Sequence, residues 1–196
     1  MYKFQKNISK ISLACRSYVL TFIVLSFFLI SDLPAVEKGF PEAKIKTAYL
    51  YNFLRFVEWP TDITNRAHLC VVGHKEEYHD SLQSLTSLTI NNEYVTVKEF
   101  NEGNGLQDLT NCRIIFVTTE ASHRQKIVVN TVRGKNTLTV GESAGFASHG
   151  GMINFIERDD RINFEVNLNA VSETDIKITS RILRIADRII PLEKNQ

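Results

Sequence analysis

The chain has 196 residues, of which 43% are hydrophobic and 23% are charged, and its formal net charge is +1. This length and composition fit one globular domain with a sizeable hydrophobic core. A net charge this close to zero gives no basic footprint for nucleic acid or for an anionic membrane surface, so the composition argues against both classes of partner.

Residues 1–35 have the pattern of a secretory signal peptide. A basic amino-terminal region precedes an uncharged stretch of 13 residues, Tyr18–Ile30, and small residues follow it up to Ala35. The stretch is shorter than the roughly 20 residues of a membrane span, so an uncleaved anchor is the less favoured alternative. We expect export, cleavage after Ala35 and a mature domain of residues 36–196, whose net charge is −2 once the leader's four basic and one acidic residues are removed.

The first segment of the mature chain, "KIKTAYLYNFLRFVEWP", predicts an amphipathic helix that ends before Pro60. Its apolar stripe recurs at i, i+3, i+4 and i+7 and consists of Leu50, Phe53, Leu54 and Val57. The aromatic residues of this segment occupy more than one face, and they are Tyr49, Tyr51, Phe53, Phe56 and Trp59. Two interpretations stay open: some of these rings meet a partner, or all of them belong to a thick core with Trp59 as its lid.

Strands and helices alternate from residue 67 to residue 140, a pattern typical of parallel βαβ units. Strands are predicted at 67–73, 93–100, 112–118 and 136–140, and the third of these is the most apolar and therefore central. A helix at 76–85 turns Tyr78, Leu82 and Leu85 inward. A second helix begins at a Ser122/Gln125 capping box and closes on Gly134.

The carboxyl-terminal part predicts a β-hairpin followed by a helix. "GGMINFIERDDRINFEVN", residues 150–167, reads as two strands around an Asp-Asp-Arg turn. Apolar residues alternate with a polar row that contains Asn163, Glu165 and Asn167, and this row suits a wetted outer face, a binding surface or the floor of an active site. The final helix, 179–190, is expected to face inward with Ile182, Ile185, Ala186 and Ile189.

The fold class predicted from these elements is α/β. We expect a three-layer, sandwich-like arrangement with a mostly parallel sheet of βαβ units and an antiparallel carboxyl-terminal hairpin. Two cysteines, Cys70 and Cys112, remain in the mature chain, and an even pair in an oxidising compartment favours a disulfide. The alternative is two buried thiols that never meet.

Three patterns resemble catalytic or ligand sites without completing one. "GESAG", residues 141–145, matches the nucleophile elbow of serine hydrolases, but no helix follows Ser143, and the only later histidine is His149, six residues on. "GNGLQD" puts Asp108 where a diphosphate would lie. The histidines are scattered and lack a set of partner ligands. We therefore predict a protein that is not an enzyme and has no metal site and no cofactor.

Three stretches together resemble the YfiR-like family of periplasmic proteins. They are "KTAYLYNFLRFVEWP", "NCRIIFV" and "GFASHGGMINFIERDDRINFEVNLNAVSETDIKITSRILRIA", and they span almost the whole mature chain. The resemblance implies a periplasmic α/β domain without catalytic activity, often a homodimer, that represses an inner-membrane diguanylate cyclase through its periplasmic sensor part. An outer-membrane lipoprotein can titrate such a repressor away, and the release raises cyclic di-GMP and favours biofilm.

The resemblance also implies roles for particular residues. Cys70 and Cys112 fall where the family has its more common disulfide, whereas Asn154 and its neighbours are not cysteine, so control through a second disulfide is in doubt for this chain. The residues of the family signature, which are candidates for partner binding, are Tyr51, Phe53, Phe56, Trp59, Gly150, Gly151, Asn154, Arg161, Glu165 and Asn167. The alternative function is a periplasmic small-molecule-binding protein that uses the sheet edge and the Gly-rich loop.

Overall fold

A seven-stranded mixed β-sheet forms the centre of the computed structural model, which describes residues 42–61, 66–73, 76–101 and 105–193. Its strands, in spatial order, are β11 (Arg188–Ile190), β9 (Arg161–Asn167), β8 (Ile153–Arg158), β7 (Leu138–Gly141), β6 (Cys112–Val117), β2 (Ala67–Val72) and β5 (Val97–Phe100). All neighbouring strands are parallel except β8 and β9, which form an antiparallel hairpin. The predicted mostly parallel sheet with a carboxyl-terminal hairpin is confirmed. The predicted signal peptide lies outside the described residues.

Helices cover both faces of the sheet and complete the predicted α/β layering. On one face lie α1 (Glu42–Phe56), α2 (Glu76–Leu85) and α5 (Ser180–Ile185), and on the other lies α3 (Gln125–Val132). A short helix, α4 (Leu168–Ser172), follows β9 directly. All six residues of β6 are buried, and the strand lies between β7 and β2. The prediction of a central apolar strand at 112–118 is therefore confirmed.

Short elements connect the layers. Two small antiparallel pairs join β1 (Val57–Glu58) to β10 (Lys177–Ile178) and β3 (Thr89–Ile90) to β4 (Glu93–Tyr94). The segments Leu106–Asn111, Thr119–Arg124 and Ala147–His149 form 3-10 helices. The strand predicted at 93–100 is two strands, because β4 pairs with β3 whereas β5 pairs with β2 in the large sheet.

The apolar stripe that the sequence predicts is buried, since Leu50, Phe53 and Leu54 of α1 and Val57 of β1 all lie in the core. The helix ends at Phe56, before Pro60, because the chain then pairs with β10 as β1. Side chains satisfy two carbonyl groups of its last turn: Trp59 Nε1 donates to the Leu54 oxygen at 3.3 Å, and Thr179 Oγ1 donates to the Phe56 oxygen at 2.8 Å.

The predicted capping box of the helix after β6 is wrong. Ser122 lies within a 3-10 helix, and α3 begins at Gln125 with Arg124 at its N-cap and no capping bond from a side chain. The Gln125 side chain instead contacts His149 Nδ1 at 3.1 Å. At the other end the prediction is correct, because Gly134 follows the helix with a left-handed φ of 67°.

The final helix predicted at 179–190 is confirmed in its first half and wrong in its second half, where the chain forms a strand. Helix α5 stops at Ile185, and the Asp187 N–H donates to the Phe164 carbonyl at 2.9 Å, which starts the pairing of β11 with β9. Ile182 is buried as expected, but Ile185 and Ile189 are 54% and 42% exposed. Backbone pairing with an open sheet edge overrides the helical spacing of the isoleucines.

A disulfide joins Cys70 in β2 to Cys112 at the start of β6, with a Cα–Cα distance of 5.9 Å. Both residues are buried beside α3 and the 3-10 helix Leu106–Asn111. The predicted disulfide is confirmed. A bridge over a separation of 42 residues contributes about 4 kcal/mol to stability on the chain-entropy model.

Candidate functional site

The end of α1 presents aromatic rings and arginines at the surface. Tyr51 and Phe56 are half-buried, and the guanidinium of Arg55 lies 5.7 Å and 5.4 Å from their ring centroids. The guanidinium of Arg181, from α5, lies over the ring of Phe56, 4.1 Å from its centroid. We call Tyr51, Arg55, Phe56 and Arg181 the aromatic–arginine surface. Cation–π contacts restrict side-chain motion, and a side chain that is already restricted loses less conformational entropy when it binds.

The remaining aromatic residues of this segment are committed to the core. Phe53 is buried and packs edge-on against Phe164 at 5.2 Å between ring centroids, with Tyr49 stacked beside it at 6.1 Å. Trp59 is half-buried against the same core and bonded to the helix end. The core interpretation therefore holds for Tyr49, Phe53 and Trp59, and the buried Phe53 is not available for direct contact with a partner. A partner contact through Tyr51 and Phe56 stays a prediction.

An open groove with a volume of about 380 Å³ runs between α1 and α2. A hydrogen bond between the hydroxyls of Thr47 and Ser81, at 3.2 Å, joins the two helices at this groove. Its walls combine apolar and polar side chains, and they include Lys44, Ala48, Tyr51, Asn52, Asp80 and Leu88. The groove therefore offers both apolar surface and charged groups to a small molecule.

The polar row of the hairpin is largely interior. Asn154 Nδ2 donates to Glu165 Oε1 at 3.3 Å, and both residues are buried. Asn167 Nδ2 donates to the Ala147 carbonyl at 2.9 Å, while its Oδ1 caps α4. These bonds make Asn154, Glu165 and Asn167 structural residues at the sheet, neither a wetted face nor an open binding surface. Arg161 is exposed beside the turn.

Two adjacent glycines, Gly150 and Gly151, allow the loop before β8 to pack tightly. Gly150 has a left-handed φ of 91°, a conformation that a residue with a side chain rarely adopts. A Cβ on the buried Gly151 would lie 2.2 Å from the ring of Phe146, which fills the loop interior. These signature residues therefore act through packing, and the Gly-rich loop leaves no room for a ligand at Phe146.

The surroundings of Ser143 differ from those of a nucleophile elbow. Ser143 is buried, and its Oγ has no hydrogen-bond partner among the described residues. The chain after it forms the 3-10 helix Ala147–His149 in place of the long helix that a nucleophile elbow requires, and His149 Nδ1 contacts Gln125.

A buried carboxylate at the carboxyl end of β7 is the feature that the sequence analysis missed. The Glu142 side chain is 0% exposed and accepts four hydrogen bonds. Oε1 accepts from the backbone N–H and the Oγ1 hydroxyl of Thr119, at 2.7 Å and 2.8 Å. Oε2 accepts from Tyr78 Oη at 2.5 Å and from Lys46 Nζ at 2.6 Å.

The electrostatics of this cluster keep Glu142 charged. Burial acts to raise the pKa of Glu142, but hydrogen bonds from Lys46 and Tyr78 outweigh it and hold the pKa below the usual range. Burial and the neighbouring Glu142 charge raise the pKa of Tyr78, which stays protonated and donates. Lys46 also pairs with Glu42 one turn earlier in α1. The one sequence feature that could have predicted this cluster is the position of Glu142 directly after a buried parallel strand.

Within the part of the chain that the structure describes, no three His, Cys, Asp or Glu side chains are grouped so that they could hold a metal ion. Among these same residues, none of the helices combines the length and the apolar character that crossing a bilayer requires.

Comparison with protein families decides the identity of the domain. The profile described as YfiR/HmsC-like matches residues 43–187, which include every strand of the sheet except its edge strand β11. This chain belongs to the YfiR/HmsC-like family. The family consists of periplasmic, non-catalytic regulators of diguanylate cyclase signalling.

Solved structures agree with the fold. A conserved domain protein from Vibrio cholerae O1 biovar El Tor strain N16961 matches with a TM-score of 0.54 at 11% identity. An ABC domain in complex with L-Trp from Streptococcus pneumoniae matches with a TM-score of 0.52 at 12% identity. Each match covers 76% of this chain but only 60% of the other chain, and at this identity it shows a shared α/β fold alone. No curated protein matches the chain significantly.

Proposed function

We propose that this chain is a periplasmic regulatory binding protein that represses an inner-membrane diguanylate cyclase by contacting the periplasmic sensor part of that enzyme. The observation that carries the proposal is the family match over residues 43–187. In line with the family, we also propose that the protein itself is not catalytic, that it forms a homodimer, and that an outer-membrane lipoprotein removes it from the cyclase.

A repressor of this kind has to bind one conformation of its target more tightly than the other, because equal affinity for both conformations shifts no equilibrium. Such selectivity depends on a few anchor side chains in a desolvated contact, and aromatic residues and arginine are the usual anchors. The aromatic–arginine surface supplies both residue types on one patch. We therefore propose this surface as the contact with the cyclase or with a second copy of the chain.

The test is a binding titration of the exported, disulfide-bonded protein against the periplasmic part of a membrane diguanylate cyclase from the same organism. Tyr51→Ala and Phe56→Ala should each weaken binding by about tenfold, the usual cost of losing an anchor. Ile127→Ala is the matched control, because Ile127 is 56% exposed on α3, on the opposite face of the sheet. Light scattering on the same samples reports whether these substitutions also change dimerisation.

Two results would count against the proposal. Absence of binding by the unaltered protein would remove the cyclase as partner. Equal affinities of Phe56→Ala and Ile127→Ala would move the contact away from the aromatic–arginine surface, and the exposed Arg161 end of the hairpin would be examined next.

A second candidate function is small-molecule binding, and the groove between α1 and α2 favours it over the Gly-rich loop. The groove has a volume suited to a small organic molecule, whereas Phe146 fills the loop. Native mass spectrometry of the protein purified from the envelope tests this candidate. A bound mass that is lost in Ala48→Trp, which would fill the groove, supports it, and a single unliganded mass argues against it.

A further inference from the structure

The donors around Glu142 come from three separate elements. Lys46 lies in α1, Tyr78 in α2 and Thr119 at the start of the 3-10 helix after β6, while Glu142 itself follows β7. Together they supply one cation, two hydroxyls and one backbone N–H to the two oxygens of one carboxylate. We call Lys46, Tyr78 and Thr119 the carboxylate cage.

The location of the cage is where open α/β sheets bind small ligands. Helix α2, which follows β2, and helix α3, which follows β6, lie on opposite faces of the sheet, so a crevice forms at the carboxyl ends of these neighbouring strands. In other α/β proteins such a crevice holds a ligand. In this protein the carboxylate of Glu142 occupies the position that a carboxylate ligand would take.

We propose that the carboxylate cage is a preformed receptor for a small carboxylate, that Glu142 occupies it as a tethered ligand, and that this occupancy fixes α1 on the carboxyl edge of the sheet. Helix α1 is fastened there through Lys46, whose side chain is 7% exposed and points at the carboxylate. These contacts lie within one domain, so they can be tested without any partner protein.

The chain allows a direct chemical test of the receptor. Glu142→Ala removes the Cγ, the Cδ and the two carboxylate oxygens, which are the four heavy atoms of acetate. The substitution leaves the donors in place and opens a hole that fits acetate. An empty cage also leaves the buried Lys46 ammonium group with Glu42 as its remaining ion-pair partner among the described residues, so the variant should be less stable.

The expected result is rescue by acetate. At about 0.1 M, acetate should raise the melting temperature of Glu142→Ala by about 3 °C or more relative to chloride at the same pH and ionic strength, because a ligand that binds only the folded state stabilises it. The unaltered protein should show no such difference, since Glu142 already fills the cage. Butyrate, which is longer, should rescue less than acetate.

The matched control is Glu165→Ala, which removes another buried carboxylate. Glu165 accepts from Asn154 at 3.3 Å and faces Arg188 at 3.5 Å, and the Arg188 side chain is 65% exposed. Solvent already reaches that cation, so acetate should gain little there. A double variant, Lys46→Met with Glu142→Ala, should lose the rescue because the cation of the cage is gone.

A second readout reports on α1 itself. The chain has one tryptophan, Trp59, and its indole donates to the last turn of α1. Its fluorescence emission should shift in Glu142→Ala and return towards that of the unaltered protein with acetate. If Glu142→Ala does not fold in chloride, the yield of refolded protein in acetate replaces the melting temperature. Equal yields or melting temperatures in acetate and chloride, or equal rescue of Glu165→Ala, would overturn the proposal.

Discussion

His68, at the start of β2, is a buried histidine whose surroundings favour the neutral ring. Its Nδ1 accepts the backbone N–H of Thr96 at 3.3 Å, which an unprotonated nitrogen alone can do. Burial first, and then the positive charge of Arg113, lower the pKa of His68 below the usual histidine value of 6.5, while Glu93 opposes the shift. This single side chain therefore links folding to pH.

The sign of that link follows from the lowered pKa. Between the folded and unfolded pKa values the unfolded chain binds more protons, so His68 contributes stability above about pH 6.5 that is lost as the pH falls through its folded pKa. We predict that His68→Asn, whose Oδ1 can accept from Thr96, flattens the decline in melting temperature from pH 7.5 to pH 5. His79→Asn, at an exposed position of α2, should keep the original profile, and an unchanged slope in His68→Asn would contradict this assignment.

Ser143 gives a second prediction at this scale. A buried hydroxyl without a hydrogen-bond partner costs free energy, so Ser143→Ala should leave the free energy of unfolding unchanged or raise it by up to about 1 kcal/mol. Any trace esterase signal should stay as it was. A large loss of a genuine hydrolytic activity in this variant would revive the interpretation of "GESAG" as a nucleophile elbow.

The hairpin of β8 and β9 shows how turns set the register of this sheet. Asp159 and Asp160 both have left-handed φ values, 53° and 56°, as a two-residue type I′ turn requires. Asn91 and Asn92, between β3 and β4, repeat the pattern with φ values of 52° and 67°. The right-handed twist of paired strands selects this turn, and the side chains at these positions tolerate it at some cost.

We predict that Asp160→Gly stabilises the domain by about 0.5–1 kcal/mol, because glycine adopts a left-handed φ without steric cost. Thermal unfolding should show a rise of about 1–4 °C for a domain of this size. Asp160→Val should lower the melting temperature, since a β-branched residue suits this conformation least. Equal melting temperatures for the two variants would mean that the turn conformation does not limit stability.

The elements that the sequence predicted correctly are those whose side-chain pattern and tertiary contacts agree. The stripe of Leu50, Phe53, Leu54 and Val57 is both helical in spacing and buried. The failures lie where a long-range partner decides, as at β11, whose pairing with β9 ends the predicted final helix. In the same way, β1 exists because Val57–Glu58 meets Lys177–Ile178, more than 100 residues further along the chain.

On the scale of the whole molecule, the family and the fold were accessible from the sequence, but the buried cluster was not. Motifs near residues 44–60 and 150–190 identify the family, and alternation of strands and helices predicts the sheet. Lys46, Tyr78, Thr119 and Glu142 are separated by up to 96 residues, and each is an ordinary polar residue in its local context. Only the layered packing of α1 and α2 on one sheet brings them together.

Export is the prediction that concerns the whole chain. A basic region, 13 uncharged residues and small residues up to Ala35 precede the domain, and a disulfide as buried as Cys70–Cys112 forms and persists in an oxidising compartment. We predict that amino-terminal sequencing of the envelope protein starts near Val36. The same protein should differ by two protons in intact mass before and after unfolding with reductant. A full-length cytosolic product with two free thiols would contradict the compartment and, with it, the proposed periplasmic partner.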